Sequence, residues 1–476
     1  MNWLAVYVSV GWLIRAGMIP VILRRQFAPG AGVAWLGIIF LHPYIGLALY
    51  MAIGETRLGP HRVERHRELI EYFRSPIRAA HPQHLDALAH LDASYEPMIR
   101  QVEKISGLPV LCGNTIDLLA DSSAMIDRLV ADIDAARSQV HLLYYIFAPD
   151  ATGQKVADAL EAAVRRGVVC RVLADAVASR TFFRRRGLVR RLKAAGVRVA
   201  AALPVAPIQR RLPRMDLRNH RKLAVIDDRI ALIGSQNVID ADYGGRRGAP
   251  WVDLTLRIAG PAVQELAIVF AEDWAFETNE VLEVHTAADG PVPDGTPMQT
   301  VPTGPTSSGE SFRRVLLGAI QCARERIVLT TPYFVPDEPT LVALLMAADR
   351  GVDVTLMMPR KPDHLLTAAA GRAHFSRLLE AGVRVFLYRP GLLHSKTVLI
   401  DDTVAIVGTA NLDVRSFNLN FELSVLMYGK TAAMRLAQVQ AGYLSESCPL
   451  DPAQWAARPA VRRYIDSAIS LLSPLL

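Results

Sequence analysis

The chain repeats itself. "IFAPD" at 146–150 returns as "YFVPD" at 333–337, "RRGVVCRVL" at 165–173 as "DRGVDVTLM" at 349–357, and "AGVRV" at 195–199 unchanged at 381–385. "NHRKLAVIDDRIALIGSQN" at 219–237 returns as "LHSKTVLIDDTVAIVGTAN" at 393–411. That last return comes twelve residues early, so the first half carries an extra stretch around "PVAPIQRRLPRM". Four matches in one order mean an internal duplication of about 180 residues, and a duplicated chain folds as two like units.

Each half alternates element types. A β-rich run ("QVHLLYYIF", "RIVLTTPYF") precedes an apolar-periodic helix ("VADALEAAVRRG", "TLVALLMAADRG"). A strand follows ("VVCRVLAD", "VDVTLMMP"), then a helix ending at the glycine of "AGVRV", a residue suited to a helix C-terminus. Such alternation implies parallel α/β units. "LAVIDD" and "TVLIDD" read as buried strands, and "RIALIGSQN" and "VAIVGTAN" as the strands that return from them. The fold expected is α/β: two tandem α/β/α sandwiches packed as a pseudo-dimer, spanning 106–285 and 286–476, with a Pro- and Gly-rich linker at 286–310.

The apolar excess behind a mean hydropathy of +0.21 sits at the N-terminus. Residues 3–23 are apolar but for Arg15, and 31–53 carry no charge, with His42 at their middle. A membrane span needs about 20 such residues, so 1–55 reads as a two-helix membrane hairpin. A central arginine costs roughly 2.5–3.5 kcal/mol there, which asks Arg15 to snorkel or to pair with the second helix. A secretory signal peptide is the alternative for 3–23, but no basic segment leads it and no small-x-small site precedes Arg24. Arginines 24 and 25 lie between the helices and Arg57, Arg62, Arg65, Arg67 and Arg74 follow, in a basic juxtamembrane segment at 56–105. The positive-inside rule places both the N-terminus and the large C-terminal part in the cytoplasm. The same arginines are expected to hold the following domain on anionic headgroups.

With 51% hydrophobic residues and a net charge of only +7, the chain is neither disordered nor strongly basic. That slight charge argues against a nucleic-acid partner. Four scattered cysteines exclude a disulfide scaffold and a thiolate zinc site, and no metal or cofactor is expected.

The chemistry lies in the longest repeat. The first half has His220, Lys222, Asp227, Ser235 and Asn237; the second has His394, Lys396, Asp401, Thr409 and Asn411. Histidine and lysine two apart on a strand face the same way, as do Ser235 and Asn237. Two halves facing each other would pool two imidazoles, two ammonium groups, two hydroxyls and two amides. That set suits a phosphodiester: lysines, asparagines and hydroxyls for the phosphate oxygens, and a histidine as nucleophile. Such a histidine needs a partner on its far ring nitrogen. Asp227 and Asp401 are candidates within the motif, although strand ends also suit structural bonds. Asp253 ("WVDLTLRIAG") and Glu422 ("NFELSVLMY") lie in apolar strands where a lone carboxylate is costly, and are preferred as the orienting acids.

These motifs resemble the HKD signature of the phospholipase D superfamily. The fuller pattern resembles bacterial cardiolipin synthases of the two-motif type: "GLALYMAIGETRLG", "YYIFAPDATG", "RNHRKLAVID", "WVDLTLRIAGP", "PYFVPD", "LLHSKTVLIDD", "GTANLDVRSFNLNFE" and the terminal "SPLL". The resemblance implies two phospholipase D-like domains and phosphatidyl transfer between two phosphatidylglycerol molecules, giving cardiolipin and glycerol through a phosphohistidine. It implies His220 as nucleophile, His394 as acid and base, Arg415 near a headgroup, and an inner-membrane location in a bacterium. In that family the motif aspartate is often structural. Arg210, Arg211, Arg214 and Arg218, in the extra stretch, are further headgroup candidates. The rival readings are a hydrolytic phospholipase D, a transferase using phosphatidylethanolamine, a nuclease with the same motifs and a non-catalytic membrane scaffold.

Overall fold

The computed structural model describes residues 3–25, 29–54, 58–80, 93–184, 187–204, 217–243, 250–285, 292–305, 311–471 and 473. Arg57, Arg210, Arg211 and Arg214 lie outside them.

In the N-terminal unit, the first apolar run is one continuous helix, Trp3–Arg24, and is long and apolar enough to cross a membrane. The second run is not one helix. It divides into Pro29–Leu41 and Pro43–Leu49, followed by a π-helical turn, Tyr50–Gly54. The reading of an unbroken helix over 31–53 is thereby corrected. Proline disfavours helical geometry in the residue before it, and His42 adopts φ −136°, ψ 79°. Arg15 does pair with the second segment: its Nε donates to the Phe40 carbonyl at 3.0 Å, close to the break.

Residues 64–204 and 218–476 form a separate compact unit. Its frame is one 15-stranded sheet in which the halves mirror each other. In the first half the strands run from the edge inward as Arg198–Ala202, Val169–Asp175, Gln139–Tyr144, Lys222–Ile226, Ile230–Gly234, Thr255–Ala259 and Leu111–Leu119. In the second half they run as Arg384–Tyr388, Asp353–Pro359, Arg326–Thr330, Thr397–Ile400, Val404–Gly408, Glu422–Tyr428 and Thr296–Thr303. The outer three of each set are parallel and the rest antiparallel, as the strand–helix alternation followed by a returning hairpin requires. Ser447–Pro449 adds a last edge strand beside Arg384–Tyr388.

The halves join where Leu111–Leu119 meets Thr296–Thr303. Thr296–Thr303 falls inside the stretch expected to be a linker, because Pro297 and Pro302 each remove a ladder donor. The strand tolerates them: on the first-half side only Thr296 and Met298 are in register, while the other side pairs with Glu422–Met427. Helices cover both faces. Ala262–Thr278 is buried nearly all round, and its core cluster takes side chains from both halves, Leu223 and Ile233 with Leu399 and Leu423.

The juxtamembrane arginines are partly committed inward. Arg74 is buried and grips Glu272 through two bonds of 2.7 and 2.6 Å, and Arg65 donates to the Ala275 carbonyl near the end of the same helix. Arg74 cannot serve lipid headgroups, because burial and bidentate pairing hold it against the domain, and Arg65 is partly committed there by its single bond.

Candidate active site

The two motifs meet at the middle of the sheet. Each histidine sits just before its strand, and its backbone is tied to the opposite half. His220 N–H donates to the Phe421 carbonyl at 2.9 Å, and His394 N–H to the Val252 carbonyl at 2.8 Å. Trp251–Val252 runs parallel to Leu392–Leu393 as a short two-stranded ladder. Each motif is thus laced to the residues that lead into the other half's acid.

The side chains follow that lacing. His220 Nδ1 lies 2.9 Å from Glu422 Oε2, and His394 Nδ1 lies 2.6 Å from Asp253 Oδ1. The two carboxylates preferred from sequence do reach the imidazoles, but crosswise, each from the other half. Both acids are buried, Glu422 completely. The Thr409 hydroxyl donates to Glu422 and the Ser235 hydroxyl to Asp253, both at 2.5 Å. Asn420 Nδ2 adds a bond of 3.2 Å to the other Glu422 oxygen. The hydroxyls expected on the phosphate therefore serve the acids instead. They lie past the strand ends, where the chain turns toward the start of the acid's strand.

Electrostatics fix the resting forms. Burial pushes both imidazoles down to about 4, so the neutral ring dominates at neutral pH. Burial alone would raise the acids. His220, Lys222 and Thr409 outweigh it at Glu422, and His394, Lys396 and Ser235 outweigh it at Asp253, holding both below the usual range. An ionised acid facing Nδ1 fixes the proton there and leaves Nε2 as the basic nitrogen. Lys222 and Lys396 are also buried, and each ammonium donates to its own histidine's carbonyl, at 2.8 and 2.5 Å. Burial lowers Lys396 to about 8 and Lys222 well below its usual range.

Both histidines line one cavity of about 550 Å³. Asn237 and Asn411 line it too, with Asn237 Oδ1 accepting from the Ile146 N–H at 3.0 Å. Arg415 is on the wall, as is Arg218, which is anchored to buried Asp175 at 3.2 Å. Sequence reasoning missed the aromatic walls. Tyr145 packs edge-on to His220 at 4.6 Å, Trp251 tilts over His394 at 4.4 Å, and Tyr333 closes another side. Tyr145 and Tyr333 lie at the edge of the first repeat, "IFAPD" and "YFVPD", but the repeat does not align them: Tyr145 matches Pro332 and Tyr333 matches Ile146.

Asp227 and Asp401 are elsewhere. They follow the far ends of the motif strands, about 20 Å from the histidines at strand rise. Asp227 accepts from the N–H groups of Arg137, Ser138 and Gln139 and from the Ser138 hydroxyl, at 2.7–2.9 Å. Asp401 accepts from the N–H groups of Arg324, Glu325 and Arg326 and from Tyr95. Both stand at positive φ, 52° and 50°, and tie a hairpin turn to the start of the neighbouring strand. A catalytic place for them is corrected to a structural one.

Residues 129–274 and 316–441 match the family described as cardiolipin synthase, PLD-like domain. The chain is 37% identical to a cardiolipin synthase A of Cronobacter sakazakii over 98% of its own length and 97% of that protein's. The chain belongs to the cardiolipin synthase family. A second member, from Klebsiella pneumoniae, is also 37% identical and spans all of the chain. Among solved structures, a phosphatidylserine synthase of Haemophilus influenzae superposes with a TM-score of 0.58 at 15% identity. It covers 80% of this chain and all of that one, which shares the fold of this family beyond its sequence.

Proposed function

We propose that the protein transfers a phosphatidyl group between two phosphatidylglycerol molecules at the cytoplasmic face of a bacterial inner membrane, releasing glycerol and forming cardiolipin. One observation carries the reading: two neutral imidazoles open onto a single cavity, each oriented by a buried carboxylate from the other half.

The geometry supplies two like histidines, and the proposed steps divide them as the family resemblance implies. His220 Nε2 attacks phosphorus, and the glycerol oxygen leaves with a proton from His394. The anionic phosphodiester raises His394 from its low resting value, so the proton is held where it is needed. Lys222, Lys396, Asn237 and Asn411 stabilise the charge that builds on the nonbridging oxygens. The phosphatidyl group then rests on His220. A hydroxyl of the second phosphatidylglycerol gives its proton to His394 and attacks phosphorus, which frees His220.

The test uses purified full-length protein with phosphatidylglycerol vesicles, following lipids and glycerol by mass spectrometry. Cardiolipin and glycerol in equal amounts are expected. Phosphatidic acid as the sole lipid product would make the protein a hydrolase.

A further inference from the structure

The C-terminal helix is inside out. In Ala460–Ser470 the buried residue is Asp466, clamped by Arg372 at 2.9 Å and Arg458 at 3.1 Å. Val461, Tyr464, Ala468 and, just past the end, Leu471 recur at helical spacing on the opposite side, with Ile465 beside them. Val461, Tyr464, Ile465 and Leu471 are 52–81% exposed. A surface helix of a soluble domain turns such a stripe inward. Here the charge is inward and the stripe faces out.

The helix that receives this clamp, Leu365–Arg372, has the same habit. Leu365 and Leu366 are exposed at its start. The same short segment also builds the cavity, since His364 and Thr367 line it. Leu365 and Leu366 therefore lie beside the cavity, and the Arg372–Asp466 pair fastens the C-terminal helix to the same segment. Arg360 and Lys361, just before that segment, and Arg462 and Arg463, on the C-terminal helix, are exposed.

We propose that Leu365, Leu366, Val461, Tyr464, Ile465 and Leu471 form a docking face that enters the headgroup region of an anionic bilayer and sets the cavity mouth on the lipid surface. An apolar stripe flanked by arginine and lysine is the signature of interfacial binding, and its basic rim complements anionic lipid. The face gives the site its substrates, which are themselves bilayer lipids; in this it rests on the phosphatidyl-transfer reading.

The experiment compares two presentations of one headgroup. Full-length wild type and the variants Leu365→Glu, Tyr464→Glu and Leu471→Glu are assayed on long-chain phosphatidylglycerol vesicles and on monomeric dihexanoyl-phosphatidylglycerol. Wild-type turnover of the monomeric lipid tests the transfer reading by itself, and the ratio of variant to wild type isolates the face. We expect each variant to fall about tenfold or more on vesicles and to stay within about twofold of wild type on the monomer, which also shows that it folds. Equal losses on both substrates, or no loss on vesicles, would overturn the proposal. So would dissociation of a wild-type dimer by Tyr464→Glu, read by light scattering in detergent.

Discussion

The two halves agree at their centre and differ at their walls. Each has a histidine, a lysine bonded to that histidine's carbonyl, an asparagine on the cavity, and a hydroxyl donating to an acid. The acids differ by one methylene, Glu422 on His220 and Asp253 on His394. Around this centre the first half contributes Tyr145 and Arg218 held by Asp175, whereas the second contributes Tyr333 bonded to Asp363 at 2.7 Å, with His364 beside it. The apolar docking face belongs to the second half alone. The lesson is that the symmetric part fits what both steps share, a phosphorus centre, and the unequal walls must supply what distinguishes nucleophile from acid and donor from acceptor.

The largest effect should come from the imidazoles. His220→Ala is expected to lower turnover more than about 10⁴-fold and to abolish any covalent phosphatidyl-enzyme. His394→Ala should cost about 10²–10⁴-fold, as loss of an acid–base group does, in rapid-quench assays. Equal covalent labelling of both variants would break the division of labour.

The crossed acids sharpen the comparison next. Glu422→Gln removes an interaction that raises His220, so His220 should titrate still lower than about 4. It also removes the acid that fixes the tautomer, and we expect a loss of about 10²-fold or more in kcat. Asp253→Asn should act in the same way through His394. In the wild type, kcat/KM should fall as pH drops through about 4, where His220 gains its proton, should decline above about 4 as free His394 loses the proton it must give to the glycerol, and should fall further through an upper limb at about 8, where Lys396 loses its own. Lys396→Arg should move the upper limb to higher pH. An unmoved limb would assign it to another group.

The smaller effects separate chemistry from scaffold. Ser235→Ala and Thr409→Val each delete the hydrogen bond to a buried acid and the one accepted from the Leu254 or Leu423 N–H, worth about 1–3 kcal/mol each, and should lower kcat about tenfold. Asp227→Asn and Asp401→Asn should lower Tm by several degrees, from about 1–3 kcal/mol lost in the turn, with kcat of the folded protein near wild type. A collapse of kcat without a change in Tm would return those aspartates to the active site.

The local pattern carried much of this. The duplication foretold two like α/β units, and the motif strands lie where "LAVI" and "TVLI" suggested. Asp253 and Glu422 were legible because a carboxylate in an apolar strand needs a partner. Their crossing was not: the two contacts span 202 and 141 residues, and spacing within a half says nothing of the lacing between halves. Ser235 and Thr409 were assigned to phosphate because the face of a strand was assumed to continue past its last ladder residue. The strand Thr296–Thr303 was hidden by its prolines, which local propensity counts against a strand and a half-paired register tolerates. The break at His42 was readable from Pro43, yet hydropathy alone averages across it.

The central claim is one composite centre in which His220 carries the phosphatidyl group. The direct measurement is a rapid acid-free quench of full-length protein with phosphatidylglycerol, followed by proteolysis and mass spectrometry of the histidine peptides. The account predicts a phosphatidyl adduct on His220, present in wild type and lost in Glu422→Gln in proportion to its rate. An adduct on His394 with His220 unmodified would contradict it.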